Sequence, residues 1–244
     1  EPRKKKETDA APTRRYTALV KQGRCVAWVA WVGLVGTACK APSQEVPLAE
    51  RGPSTAPKVT PPCERRARYI VCTVDPARHE IRLAYQRTDG TAFGSVAAFV
   101  AAAEPPPLFA MNAGMYQQNL MPLGLYVERG ERLAALNRRH GDGNFYIEPN
   151  GVFSVDATGL ADITPTGQWH DGQRAVFATQ SGPMLVTAGS INPSLLDATK
   201  STAIRNGVGL LENGAVVFVI STESVSLNAF AMFFASDLRA TTAL

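Results

Sequence analysis

The chain has 244 residues, with 25 Lys/Arg against 21 Asp/Glu, four Cys and three His, for a net charge of +4. Residues 1–40 hold nine Lys/Arg against three Asp/Glu, whereas residues 41–244 hold 16 against 18. The body therefore lacks a basic footprint for nucleic acid, and the scattered histidines offer no metal-ligand spacing.

Glu1–Tyr16 is polar, charged and begins without Met, so residues 1–23 read as a charged stub outside the fold. The 15 uncharged residues between Arg24 and Lys40 follow a basic flank and are fewer than the ~20 needed to span a bilayer. Residues 24–39 therefore read as an export segment. Gly36-Thr37-Ala38-Cys39 resembles a lipoprotein box with Cys39 as the lipidated residue, although Gly36 stands where such boxes usually carry Leu. An ordinary cleaved signal and a short membrane anchor stay open. The expected location is the periplasm or cell envelope, touching membrane only through this segment or its lipid. Residues 40–62, with prolines at 42, 47, 53, 57, 61 and 62, read as an extended tether.

Residues 63–244 are long enough for one domain with its own core. Cys63 and Cys72 flank the first expected strand, and outside the cytosol such a pair tends to oxidise; zinc is the competing use. Arg68–Val74 and Glu80–Gln86 read as antiparallel strands around Asp75-Pro76. Phe93–Ala103 has helical apolar spacing and stops at Pro105-Pro106-Pro107. Leu108–Met111 reads as a buried strand entering a loop at Asn112-Ala113-Gly114. Pairs at Gly124–Glu128 with Arg132–Leu136, Phe145–Ile147 with Val152–Val155, and Val176–Thr179 with Met184–Val186 are each split by turn residues. Val208–Leu211 and Ala215–Ile220 meet at Asn213-Gly214, the clearest hairpin. Leu227–Leu238 puts Leu227, Phe230, Ala231, Phe234 and Leu238 on one face, an amphipathic helix for a sheet. The expected fold is α+β (mixed α/β): one strand-rich domain with a mixed sheet and a few packed helices.

No G-x-S-x-G elbow, Walker loop, strand-linked G-x-G-x-x-G or H-E-x-x-H is present. Instead, Gly and polar residues collect where strands end: Asn112 and Gly114, Asn144, Ser181 and Gly182, then Arg205, Asn206 and Gly207. Glycine permits close backbone approach and leaves amides for an anion, and Arg adds a planar charged fork. That combination suits a phosphate or sugar phosphate. On composition alone the plainer reading, tight turns and an Arg–carboxylate pair, has the advantage.

The spelling of these segments shifts the balance. Phe109-Ala110-Met111-Asn112-Ala113-Gly114-Met115-Tyr116, Pro122-Leu123-Gly124-Leu125-Tyr126-Val127-Glu128, and Gly143-Asn144-Phe145-Tyr146 with Pro149-Asn150-Gly151-Val152-Phe153 come first. Ala178-Thr179-Gln180-Ser181-Gly182-Pro183-Met184-Leu185-Val186 and Ile204-Arg205-Asn206-Gly207-Val208-Gly209 follow in the same order. Together, from about Cys63 onward, they resemble the bacterial phosphodiester glycosidase family. The resemblance implies an exported hydrolase cleaving a sugar-1-phosphodiester. A phosphate monoester, with second pKa ~6, is a good leaving group, so charge neutralisation outweighs general-acid help. It implies Arg205 on the phosphate, aided by Ser181 and by amides around Gly182 and Gly207, with Asn112, Gly114, Asn144 and Asn206 around the sugar or phosphate. Glu223 is the first carboxylate expected to activate water or steady the cation, and Asp142 the second; the competing role for Glu223 is a charge at a helix N-terminus. No cofactor is expected, though loop oxygens that could hold calcium leave no spacing signature. The resemblance also implies a strand and an acidic Gly-rich loop after the last helix. Because the sequence reaches only Ala243-Leu244, that strand is expected to be missing and activity to suffer. A non-catalytic envelope lipoprotein that binds a glycan or sugar phosphate is the alternative.

Overall fold

A computed structural model describes residues 15–22, 62–171 and 173–244. The export segment, Cys39 and the proline-rich tether up to residue 61 lie outside the described residues. In chain order the first elements are β1 (Arg15–Gln22), β2 (Cys63–Arg66), β3 (Tyr69–Val74), β4 (His79–Ala84), α1 (Val96–Ala102) and β5 (Phe109–Met115). Then come β6 (Tyr126–Glu128), β7 (Glu131–Ala134), β8 (Gly151–Asp156), β9 (Ala161–Pro165), β10 (Ala175–Ser181), β11 (Val186–Thr187) and β12 (Ser190–Ile191). The chain continues through β13 (Thr202–Ala203), β14 (Asn206–Leu211), β15 (Val216–Ser221), β16 (Val225–Ser226), α2 (Leu227–Met232) and β17 (Ala240–Ala243).

The strands form a seven-stranded sheet in the order β12-β11-β17-β14-β15-β3-β2 and a five-stranded sheet β7-β6-β10-β8-β9. A three-stranded sheet β4-β1-β5 and the small pair β13-β16 complete them. The mixed sheet expected from sequence is corrected here. Every pairing among the described residues is antiparallel. Where consecutive strands pair, short turns enforce this: Arg129-Gly130 and Asn213-Gly214 are too short for a parallel crossover.

The central strands of the seven-stranded sheet have buried side chains on both faces, and β3 and β15 show it residue by residue. Val216 and Phe218 join one core with Cys72 and Val74, while Val217 and Val219 join the other with Tyr69 and Val71. Phe109, Phe153 and Phe218 meet edge to face in the first core. In the second, Phe230 of α2 and Phe234 just after it lie on β14, where Gly207 and Gly209 leave room for the rings. Ser226 caps α2 by accepting from Ala229 N at 3.1 Å. The helix expected through Leu238 changes at Phe233 into a π-helical turn, Phe233–Asp237.

Four local expectations differ from what is observed. Asn112, Ala113 and Gly114 continue β5 rather than forming its loop. The expected strand at Phe145–Ile147 is a 3₁₀ turn, Asn144–Tyr146, pulled back by the Asn150 amide, which donates to the Phe145 carbonyl at 3.0 Å. Residues 15–22, within the stretch read as a charged stub, fill a one-strand gap between β4 and β5, pairing Leu19 with Arg82 and with Ala110. Their Tyr-Thr-Ala-Leu-Val core has β-favouring residues that the flanking charges obscured. Finally, a strand does form at the end of the sequence: β17 pairs with β14 and β11, and Leu244 exchanges hydrogen bonds with Val208. Cys63 and Cys72 face each other across β2 and β3 and are joined by a disulfide.

Candidate functional site

Four chain segments far apart in sequence meet at one pocket. β5 contributes Asn112 to Met115, and β10 with the turn after it contributes Thr179, Ser181, Gly182 and Pro183. The start of β14 contributes Arg205 to Val208, and the 3₁₀ turn contributes Asn144. Phe153, Phe218, Leu227 and Phe230 make an apolar floor. All seven substrate-binding residues expected from sequence, together with Arg205, line this pocket.

Arg205 is 5% exposed and anchored on three sides. Its backbone N–H donates to Ser221 Oγ at 2.8 Å, and its carbonyl accepts from Ser221 N at 2.8 Å. Its side chain donates through Nε to the Val225 carbonyl at 2.9 Å and through Nη2 to the Ser201 carbonyl at 3.1 Å. These two backbone carbonyls fix the plane and direction of the guanidinium. Asn206 donates from Nδ2 to the Asn112 carbonyl at 2.7 Å, joining the β14 and β5 walls.

The glycines serve packing more than ligand access. A Cβ on Gly114 would overlap Thr179 Oγ1 and approach the Gln180 carbonyl to 2.7 Å. One on Gly182 would overlap the Phe145 carbonyl, and one on Gly207 would reach 2.8 Å from the Leu244 carbonyl. Their absent side chains let the walls close on one another.

The two expected carboxylates lie elsewhere. Glu223 stands in the turn between β15 and β16, its side chain 60% exposed and 3.4 Å from Arg68 Nε. Asp142 is exposed on the segment before the 3₁₀ turn. Neither lines the pocket, and among the described residues Arg205 is the charged residue of its lining. The described residues hold no cluster of three or more His, Cys, Asp or Glu suited to a metal. Sequence reasoning passed over Thr179 and Pro183 as individual lining residues, although both stand in a quoted block. Alternation along β10 was the available signal, because it turns Thr179 and Ser181 to the same side.

Beside this geometry stand the likenesses to known proteins. Residues 107–244, more than half of the chain, match the phosphodiester glycosidase family and take in all four pocket segments. The uncharacterized protein YigE of Escherichia coli (strain K12) is 37% identical over 168 residues, which cover 68% of this chain and 66% of that protein. A solved structure of the zebrafish N-acetylglucosamine-1-phosphodiester alpha-N-acetylglucosaminidase catalytic domain, auto-inhibited by its pro-peptide, aligns with a TM-score of 0.40 and 17% identity. That alignment covers 55% of this chain and 48% of the zebrafish one. The chain belongs to the phosphodiester glycosidase family.

Proposed function

We propose that the pocket hydrolyses a sugar-1-phosphodiester, with Arg205 facing the phosphate. The observation that carries the reading is the convergence of four separate segments on one pocket whose lining includes the buried, carbonyl-anchored Arg205. In the proposed reaction the bond between the anomeric carbon and the phosphodiester oxygen breaks. The phosphate monoester leaves with the electron pair, water delivers hydroxide to the carbon, and the spare proton goes to solvent. Arg205 stabilises the charge that grows on the leaving oxygen in a site partly shielded from water. Asn112, Asn144, Ser181 and Asn206 offer donors and acceptors around the sugar and phosphate, over an apolar floor suited to a pyranose face. Glu223 and Asp142 have no contact with the reacting atoms in this scheme.

One observation favours a second reading, a glycan or sugar-phosphate binder without turnover: no Asp or Glu lines the pocket among the described residues. Release of phosphate monoester from a sugar-1-phosphodiester, measured beside calorimetric binding of the same compound, separates the two. Arg205→Ala, checked for folding by near-UV dichroism, should reduce turnover at least a hundredfold. A folded variant with parental turnover removes Arg205 from the reaction.

Export to the periplasm or envelope, with or without a lipid on Cys39, belongs to the same proposal, and the disulfide supports an oxidising compartment. Cleavage within residues 24–39 would also detach β1. The intact mass of the mature protein decides between a retained β1 and a processed N-terminus.

A further inference from the structure

Between the two pocket-facing residues of β10, Thr179 and Ser181, sits Gln180, which is 1% exposed and absent from the pocket wall. Its carboxamide uses its whole hydrogen-bonding capacity on the far side of the strand. Oε1 accepts from Leu125 N at 3.0 Å and from Asn137 N at 2.8 Å. Nε2 donates to the Asn137 carbonyl at 2.7 Å and to Thr166 Oγ1 at 3.3 Å. Gly124 lies so close that a Cβ there would overlap Gln180 Oε1.

These bonds close a ring that returns to the pocket. Asn137 donates from Nδ2 to the Leu123 carbonyl at 2.8 Å, and Leu123 N donates to the carbonyl of Met115, a pocket residue of β5. The Gln180 backbone N–H also donates to the Leu125 carbonyl at 2.8 Å. On β5, Gly114 rests against the Gln180 carbonyl and Thr179 Oγ1. One buried carboxamide thus sets the spacing between β5 and β10 from behind, without touching a ligand.

We propose that Gln180 is a positioning residue for the pocket, holding Thr179 and Ser181 in register with Asn112 and Gly114. The proposal rests on the hydrolytic reading for its kinetic consequence, while its structural consequence can be read without substrate.

Gln180→Glu is the discriminating variant, because its protonation state decides whether the ring closes. A protonated carboxyl can still accept from Leu125 N and Asn137 N and donate to the Asn137 carbonyl. The carboxylate has no donor and sets an oxygen against that carbonyl. Hydrogen exchange of residues 179–183 in the full chain should match the parent at pH 5.5 and be at least tenfold faster than the parent at pH 8, at a temperature where both are folded. Turnover of the sugar-1-phosphodiester should follow, with kcat near parental at pH 5.5 and at least tenfold below the parent at pH 8. Gln180→Met, which satisfies none of the ring, should show both losses at both pH values.

Exchange in Gln180→Glu that equals the parent at pH 8 overturns the proposal, as does turnover that falls only in proportion to the unfolded fraction. A parent that shows no turnover sinks the hydrolytic reading instead. The pH-dependent exchange would then still establish Gln180 as what holds the pocket wall.

Discussion

The two walls of the pocket are held by different forces. On the β14 side, Phe230 and Phe234 of the last helical segment press onto Gly207 and Gly209, and Leu244 closes the strand behind them. On the β10 side, the partners are amides: Gln180 with Asn137, Asn150 with Phe145, and Arg138, whose guanidinium donates to the Thr166 and Trp169 carbonyls. The first wall depends on volume and is indifferent to pH. The second depends on satisfied donors and acceptors, where a misplaced proton costs as much as a missing atom. The pocket thus combines a rigid apolar support with a polar one that sets position.

The largest expected effect tests the apolar wall. Phe234→Ala removes a fully buried ring and should cost about 3–5 kcal/mol of unfolding free energy, read as a lower urea midpoint. Gly209→Ala should destabilise through the same ring, since its Cβ would stand 2.9 Å from Phe234 Cδ1. The two losses should not add, because the smaller side chain at 234 makes space for the methyl group. Strict additivity would show that the ring and the glycine do not share a contact.

The polar wall should respond differently. Asn150→Ala leaves the buried Phe145 carbonyl without its side-chain donor and should cost about 1–3 kcal/mol. Because that carbonyl lies against Gly182, ligand affinity should fall along with stability. A stability loss with unchanged binding of a sugar phosphate would show that this wall does not position the ligand.

Much of this contrast could be read before the coordinates, and the remainder has physical reasons for staying hidden. The hairpin at Asn213-Gly214 is written in local turn chemistry, with Gly214 at φ 81° and Asn213 Oδ1 accepting from Ala215 N. Phe230 and Phe234 follow from helical spacing, and the seven expected binding residues collect in one pocket. A sequence cannot show what occupies the space beside a glycine; at Gly182 and Gly207 the place of a side chain is taken by the Phe145 and Leu244 carbonyls. Gln180, quoted within its block, is not singled out by sequence because its partners, at 125, 137 and 166, are brought together only by the fold. Residues 15–22 read as part of a charged stub because a strand's place is fixed by the neighbours it pairs with, here β4 and β5, and not by its own charge.

A smaller effect concerns Glu128, whose Oε2 accepts from Tyr85 N at 3.0 Å and Tyr126 Oη at 3.1 Å. Burial pushes its carboxyl above the ordinary value of 4.5, overcoming those two bonds and the nearby Arg129 charge. A raised carboxyl pKa means that the folded state holds the proton more tightly than the unfolded state. Its stabilising contribution is therefore complete below the unfolded value and fades as pH rises through the folded one. Glu128→Gln keeps an acceptor without the charge, so its stability relative to the parent should rise between pH 4 and pH 7, read from paired urea midpoints. A constant difference across that range would show that Glu128 does not titrate with folding.

The smallest effect is expected at Glu223, which bears on how the reaction is driven. Its carboxylate is exposed and paired with the exposed Arg68, so Glu223→Gln should change stability by no more than about 0.5 kcal/mol. Turnover should also stay within twofold of the parent, because the carboxylate stands outside the pocket wall. If the leaving phosphate needs only the field of Arg205, removing this carboxylate leaves the barrier as it was. A folded Glu223→Gln that loses turnover by tenfold or more would mean that the turn between β15 and β16 reaches the reacting carbon. The site would then work through a carboxylate as well as a guanidinium, and the purely electrostatic account of its chemistry would fail.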